Sequence, residues 1–118
     1  MKNLYIETII LSVLLLLVKS LDNTTLSNYK VIRLINLEGV FEPDFEQKIV
    51  KGDLLYTFFA EADGSEIILD TRNLNITSIK SENNDLEYKF DEENESYGIP
   101  LVITKEYKKD DAVKINIK

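Results

Sequence analysis

The chain has 118 residues, with 14 lysines and arginines against 21 aspartates and glutamates, which gives a formal net charge of −7 at pH 7. This acidic balance disfavours a nucleic-acid-binding protein, which needs a basic surface to neutralise phosphates. The sequence contains no histidine and no cysteine. Disulfides, histidine-ligated zinc, a Ser-His-Asp triad and a cysteine nucleophile are therefore excluded within these 118 residues.

An apolar run near the N-terminus predicts a secretory signal peptide over residues 1–20. Residues 9–18 are apolar except for Ser12. The run is shorter than the roughly 20 residues that span a bilayer, and Ser20 supplies the small residue expected before a cleavage point at Leu21. A membrane anchor and a buried helix are the alternatives. With cleavage, we expect an extracellular or lumenal protein in the secretory pathway, without a stable membrane span.

The rest of the chain has the pattern of an all-β domain over residues 31–118, with the polar residues 21–30 as a linker before it. Apolar and polar residues alternate in short segments bounded by turn residues, which is typical of an antiparallel β-sandwich or a saddle-like open meander. Pro43-Asp44 marks a turn. The predicted strands, in chain order, cover residues 31–41, 49–62, 66–70, 74–79, 86–90, 101–104 and 113–117. In the fourth of these, the apolar spacing changes from two to three before Ile79, which indicates a bulge.

The strand over residues 49–62 is apolar on both faces. One face carries Val50, Leu54, Tyr56 and Phe58. The opposite face carries Leu55 and Phe59, whereas an antiparallel strand with one solvated face should be polar there. We therefore expect Leu55 and Phe59 to pack against another sheet or a neighbouring domain. The aromatic stripes Tyr56/Phe58 and Tyr88/Phe90 are typical of a core.

The last predicted strand, residues 113–117, stands at the end of the sequence. No later hairpin within these residues can pair with it, so we expect an open edge that leaves Ile115 and Ile117 uncovered. This predicts an incomplete β domain that is marginally stable or prone to aggregate.

Two polar motifs have a functional and a structural interpretation. Asp70-Thr71-Arg72 follows a strand and is read either as a substrate contact or, preferentially, as a turn clamped by a local ion pair. The acidic run over residues 91–95 offers oxygen ligands for calcium. It lacks the interleaved glycines of a dedicated loop, so a solvated acidic turn is favoured.

Three Asn-x-Ser/Thr sequences predict acceptor sites for N-glycosylation, at Asn23, Asn75 and Asn94. We expect Asn94, in the acidic run, to be the best exposed, and Asn75 to point away from its apolar neighbours. Chance occurrence in an asparagine-rich chain is the alternative.

Three segments in order resemble the N-terminal β domain of the zinc aminopeptidase family that includes leukotriene hydrolase, aminopeptidase B and aminopeptidase N. They are residues 45–52 (FEQKIVKG), residues 69–76 (LDTRNLNI) and residues 97–103 (YGIPLVI). The resemblance extends over about residues 34–117. Asn73, where the family usually has Asp, and Gly39, inside the first strand, depart from its pattern.

The resemblance implies a domain without chemistry of its own. In the family, a G-x-M-E-N segment holds the substrate amine and an H-E-x-x-H helix holds zinc, both on a separate catalytic domain. Neither motif occurs here, so no catalytic residue, metal ligand or cofactor is assigned to this chain. The implied function is a non-catalytic fragment or truncated product of a secreted aminopeptidase, whose partner is the catalytic domain. A stand-alone secreted β-sandwich that binds a protein or glycan is the alternative.

Overall fold

The computed structural model describes residues 25–118, which form eight strands and contain no helix. The strands are β1 (Ile32–Asp44), β2 (Ile49–Ala60), β3 (Gly64–Thr71), β4 (Ile79–Ser81), β5 (Asn84–Asp85), β6 (Tyr88–Phe90), β7 (Ile99–Tyr107) and β8 (Ala112–Ile117). Every pairing between them is antiparallel. The all-β prediction is confirmed for this part of the chain. The predicted signal peptide, for which a hydrophobic helix over residues 1–20 is expected, and Asn23 lie outside the described residues.

The strands form two sheets that share one core. The larger sheet has the order β1-β2-β8-β4-β5 and the smaller one the order β3-β7-β6. Both sheets contribute to a single cluster of buried side chains: Ile32, Phe58, Ala60, Ile67, Ile79, Leu101, Ile103, Tyr107, Val113, Ile115 and Ile117. The alternation of β2 and β8 produces this core, because Tyr56 lies opposite Ile115 and Phe58 opposite Val113 in the register.

Strand β8 lies in the middle of the larger sheet, between β2 and β4. Ile115 is fully buried and Ile117 is 5% exposed. The prediction of an open edge at residues 113–117 is therefore wrong. The chain folds back so that its last strand fills the gap between two strands far apart in sequence. Among residues 25–118, the long open edge of this sheet is instead the outer side of β1.

The predicted strand over residues 74–79 is also largely wrong. Residues 74–78 lie outside the strands, and the N–H groups of Thr77 and Ser78 both donate to the Lys118 carbonyl, at 2.8 and 3.4 Å. The Lys118 N–H donates in turn to the Ser78 carbonyl at 3.0 Å, so Thr77 and Ser78 together face Lys118. This two-against-one pairing is that of a β-bulge and agrees with the change of apolar spacing before Ile79. In β1, the register with β2 also shifts, between Leu34 and Asn36.

The two ends of β1 also differ from expectation. Pro43-Asp44 belongs to the strand, and the turn follows at residues 45–48, where the Asp44 carboxylate accepts the Gln47 N–H at 3.0 Å. Before β1, the second half of the predicted linker is packed along β3. Asn28 donates from its side-chain amide to the Glu66 carbonyl at 2.8 Å and accepts the Ile68 N–H at 2.9 Å.

Candidate functional site

The β1–β2 hairpin extends beyond the sheet that it begins. Strand β8 pairs with β2 only between Leu54 and Phe59, whereas β1 and β2 stay paired as far as Asp44 and Ile49. Residues 40–53, which we call the distal hairpin, therefore project past β8. Their backbone groups pair only with one another in the described part of the chain.

The two faces of the distal hairpin differ in polarity. Directly paired residues of an antiparallel ladder lie on the same face, and successive residues alternate. The inner face continues the core side of Leu54 and Tyr56 and carries Phe41, Pro43, Val50 and Gly52. The outer face carries Val40, Glu42, Asp44, Ile49, Lys51 and Asp53. The inner face is thus entirely apolar, whereas the outer face is mostly charged.

The apolar inner face is open to solvent. Phe41 is 65% exposed and Val50 is 64% exposed, although their face is continuous with the core. The Phe41 ring lies over Gly52, where an added Cβ would stand 3.6 Å from the ring. The paired hairpin therefore presents an aromatic and an aliphatic side chain with no covering element among residues 25–118.

This inner face forms one wall of a groove of about 530 Å³. The opposite wall comes from the smaller sheet and from the irregular segment after it, and the end of β8 lines the groove as well. The lining residues are Ser27, Phe41, Val50, Gly52, Leu54, Tyr56, Leu69, Asp70, Thr71, Leu74, Ile76, Leu101, Ile117 and Lys118. Burial raises the pKa of Tyr56 above its ordinary value of 10.0, so its phenol is neutral at physiological pH. Because most of its lining side chains are apolar, the groove is suited to apolar packing.

The Asp70-Thr71-Arg72 motif lies at the rim of the groove and is used structurally. Asp70 accepts hydrogen bonds from the Thr25 hydroxyl and, at 2.9 Å, from the Leu26 N–H. Thr71 donates to the Ile99 carbonyl at 2.6 Å, and Arg72 donates to the Glu95 carbonyl at 3.2 Å. The expected ion pair between Asp70 and Arg72 is absent from the ion pairs of residues 25–118. Each residue of the motif instead binds a different segment.

The predicted interdomain residues Leu55 and Phe59 lie on the outer face of β2, and both are partly exposed. The Arg33 guanidinium lies over the Phe59 ring, 5.2 Å from its centre, so the chain itself partly covers this side chain. Their packing against another domain stays a prediction.

The exposed inner face was not singled out from the sequence. Phe41 and Val50 lie in the alternation of two predicted strands, and that pattern identifies their face but not where the neighbouring strand stops. Tyr88 and Phe90, expected in the core, are 37% and 45% exposed. They lie on β6, an edge strand of the smaller sheet.

Two of the predicted glycosylation sites, Asn75 and Asn94, lie within the described residues. Their exposure is the reverse of that expected. Asn75 is exposed, whereas Asn94 is half-buried. Asn94 lies in a tight turn closed by two backbone hydrogen bonds with Gly98, at 2.7 and 2.8 Å. The prediction that Asn94 is the better exposed of the two is therefore wrong.

Comparison with known proteins identifies relatives of this domain. Leucine aminopeptidase 2 of Aspergillus fumigatus is 35% identical over 97 residues, which cover 80% of this chain and 15% of that protein. Leucine aminopeptidase 2 of Lodderomyces elongisporus is 39% identical over 87 residues, which cover 70% of this chain and 13% of that protein. No family model matches the chain.

Solved structures show the same fold. Yeast LTA4 hydrolase in complex with bestatin superposes with a TM-score of 0.73 at 24% identity, over 81% of this chain and 15% of that one. The described residues form an N-terminal β domain of the zinc aminopeptidase family. The resemblance seen in the three sequence segments is thereby confirmed. The chain spans about 15% of the length of the A. fumigatus relative.

The family's zinc does not fit the residues of this domain. The 118 residues contain no histidine or cysteine, and within residues 25–118 no group of three or more acidic side chains is placed to hold a metal ion. In the acidic run over residues 91–95, which was considered for calcium, the Asp91 carboxylate lies 3.9 Å from the Lys89 ammonium. No step of aminopeptidase chemistry is therefore assigned to this part of the family's architecture.

Between residues 25 and 118, no helix has the length and apolar character needed to cross a membrane.

Proposed function

We propose that this chain is the non-catalytic N-terminal β domain of a secreted zinc aminopeptidase, which packs against the catalytic domain and helps to wall the substrate channel. The open inner face of the distal hairpin carries this proposal. It is the continuation of a core-forming face, and the relatives have the remaining 85% or so of their length available to cover it.

The energetics favour covering this face. Burying a large apolar side chain contributes about 1.5–3 kcal/mol relative to leaving it exposed. Phe41 and Val50 are each more than half exposed, and the β1–β2 pairing places both on the same face, where one covering surface would bury them together. Interdomain contacts within one chain typically bury roughly 600–1,500 Å². The groove beside the hairpin provides a concave surface for such a contact.

Secretion is part of the same proposal. The short apolar run over residues 9–18, followed by small and polar residues, supports cleavage after Ser20. N-terminal sequencing of extracellular protein should then recover Leu21, give or take a few residues, as the first residue. Recovery of Met1 on extracellular material would contradict cleavage.

The interdomain contact is tested in a chimaera. The matching N-terminal region of A. fumigatus leucine aminopeptidase 2 is replaced by the corresponding residues of this chain, and thermal unfolding and peptidase activity are measured. Phe41→Asp places a charge on the inner face, whereas Val40→Asp places the same charge on the next residue, on the outer face. We expect the first variant to lower the unfolding temperature and activity of the chimaera much more than the second. Equal effects would contradict packing through the inner face.

A second test concerns what the gene encodes after Lys118. An open reading frame that continues to an H-E-x-x-H motif supports a domain of a full-length aminopeptidase. A stop codon directly after Lys118 would favour a truncated relative or the stand-alone binding module.

A further inference from the structure

The Asn75-Ile76-Thr77 sequence lies where a modification can be accommodated. It belongs to the irregular segment between β3 and β4, and Asn75 is exposed. Ile76, between the two polar residues, packs against the core cluster. The inward side chain anchors the segment while Asn75 stays accessible at the surface.

The surroundings of Asn75 form an open cleft on the outer side of the distal hairpin. The cleft has a volume of about 660 Å³ and is lined by Val40, Glu42, Ile49, Lys51, Gly52, Asp53, Asn75, Thr77 and Lys118. The cleft combines two exposed aliphatic side chains, Val40 and Ile49, with charged and amide groups. A sugar offers the matching chemistry, with hydroxyl groups for the polar side chains and carbon-bound hydrogens for the aliphatic ones.

The contacts that fix this segment come from the far end of the chain. The Thr77 N–H and hydroxyl both donate to the Lys118 carbonyl, at 2.8 and 3.2 Å. Until Lys118 has been made, these contacts cannot hold Thr77. Asn75 is therefore not fixed by these contacts until Lys118 has been made, and it is exposed in the folded domain.

Asn94 provides the contrasting case. Its side-chain oxygen accepts the N–H groups of Ser96 and Tyr97, at 2.9 and 3.2 Å. All of its turn partners lie within four residues, up to Gly98, so the turn can close locally as soon as it is made. In the folded domain Asn94 is half-buried, which leaves less room for a glycan than at Asn75.

We propose that Asn75 is an N-glycan acceptor and that its glycan occupies the cleft on the outer side of the distal hairpin. This inference rests on the proposed passage through the secretory pathway. In the transfer, a bond forms between Asn75 Nδ2 and the anomeric carbon of a lipid-linked glycosyl pyrophosphate. The bond from that carbon to the pyrophosphate oxygen breaks, Nδ2 loses a proton and the lipid pyrophosphate leaves. The glycan then covers the outer face and leaves the inner face for the catalytic domain.

Occupancy is tested in eukaryotic cells that secrete the full chain, once with its own residues 1–20 and once with a foreign signal peptide in their place. We expect amidase treatment to increase gel mobility, and peptide mass spectrometry to find aspartate at position 75 afterwards. In a chain that also carries Asn23→Gln, which removes the third acceptor sequence, Asn75→Gln should abolish the mobility change, whereas the matched Asn94→Gln should preserve most of it.

Comparing the natural residues 1–20 with the foreign signal peptide distinguishes the glycan proposal from the secretion proposal. If only the protein with the foreign signal peptide carries the Asn75 glycan, the proposal that Asn75 is an acceptor is supported, and the proposal that residues 1–20 direct secretion is refuted. If the protein enters the secretory pathway with the foreign signal peptide but stays unmodified at Asn75, or is modified only at Asn94, the glycan proposal is overturned.

The position of the glycan is tested with single cysteines, since the natural chain has none. Val40→Cys lies in the outer cleft, and Phe41→Cys lies on the inner face of the same strand. Maleimide labelling of Val40→Cys should be several-fold slower in the glycosylated protein than after enzymatic removal of the glycan, with Phe41→Cys unchanged. Equal labelling of Val40→Cys in both forms would show that the glycan does not occupy the cleft.

Discussion

Tyr107 links the end of β7 to the segment that precedes β1. Its hydroxyl donates to the Glu66 carbonyl at 2.7 Å, and the Asn28 amide donates to the same oxygen at 2.8 Å. The side chain is almost fully buried. Burial raises the pKa of the phenol above its ordinary value of 10.0. Asn28 lowers this pKa by less than burial raises it, and the nearby Glu66 charge adds a still smaller rise.

The raised pKa predicts loss of stability at alkaline pH. The unfolded chain deprotonates Tyr107 near pH 10 while the folded chain keeps it neutral, so the contribution of Tyr107 is complete below pH 10 and is lost as pH rises through its folded pKa. Tyr107→Phe should cost about 0.5–1.5 kcal/mol at neutral pH and flatten the alkaline fall. Urea unfolding from pH 8 to 11 or so measures both effects. An unchanged alkaline slope in the variant would contradict the assignment.

A glycine makes room for this tyrosine. A Cβ on Gly64 would overlap the Tyr107 phenol, whereas a Cβ on Gly52 would stand 3.6 Å from the Phe41 ring, which is ordinary contact. Gly64→Ala should therefore lower the free energy of unfolding by about 1–3 kcal/mol, as overpacking does. Gly52→Ala, also in a strand, should change it by less than about 1 kcal/mol. Comparable losses in the two variants would show that the close approach at Gly64 is relieved by small movements.

At the scale of elements, strand composition was predictable and strand neighbours were not. The alternation in β2 and β8 correctly indicates which of their residues face the core, because a side-chain period of two is a local property. The position of β8 between β2 and β4 depends on pairings across more than thirty residues, as between Ile79 and Ile117. Apolar spacing contains no information about them. The groove could not be predicted from the sequence either, because it depends on where β8 stops pairing with β2.

The central position of β8 predicts a large effect of truncating its core side chains. Ile115 is fully buried, whereas Ile35, at the register shift of β1, is 50% exposed. Ile115→Ala should cost about 2–5 kcal/mol, the usual loss for a buried isoleucine, and Ile35→Ala much less. Urea unfolding of both variants measures the difference. A loss below about 1 kcal/mol for Ile115→Ala would contradict its central place in the core.

At the scale of the whole molecule, one core is shared by two sheets, while an apolar face and a strand edge remain uncovered among the described residues 25–118. The apolar face is the inner face of the distal hairpin, and the edge is the outer side of β1. Leu34 and Leu37 of β1, which pair with Phe58 and Tyr56 on the core side, are each about half exposed. Long exposed edges and apolar faces promote association between chains. The net charge of −7 opposes it at pH 7, because like-charged molecules repel one another.

This balance predicts self-association of the separately purified chain that depends on concentration and pH. Sedimentation velocity should show growing oligomers as concentration rises, and more of them as pH falls toward the pI near 4.6, where the net charge vanishes. Phe41→Asp should suppress association at pH 7 by placing a charge on the apolar inner face. Val40→Asp should suppress it less, because Glu42 and Asp44 already charge the outer face. A monomer at every concentration, with a sharp urea transition of high midpoint, would instead show that the uncovered surfaces need no partner and would favour the stand-alone binding module.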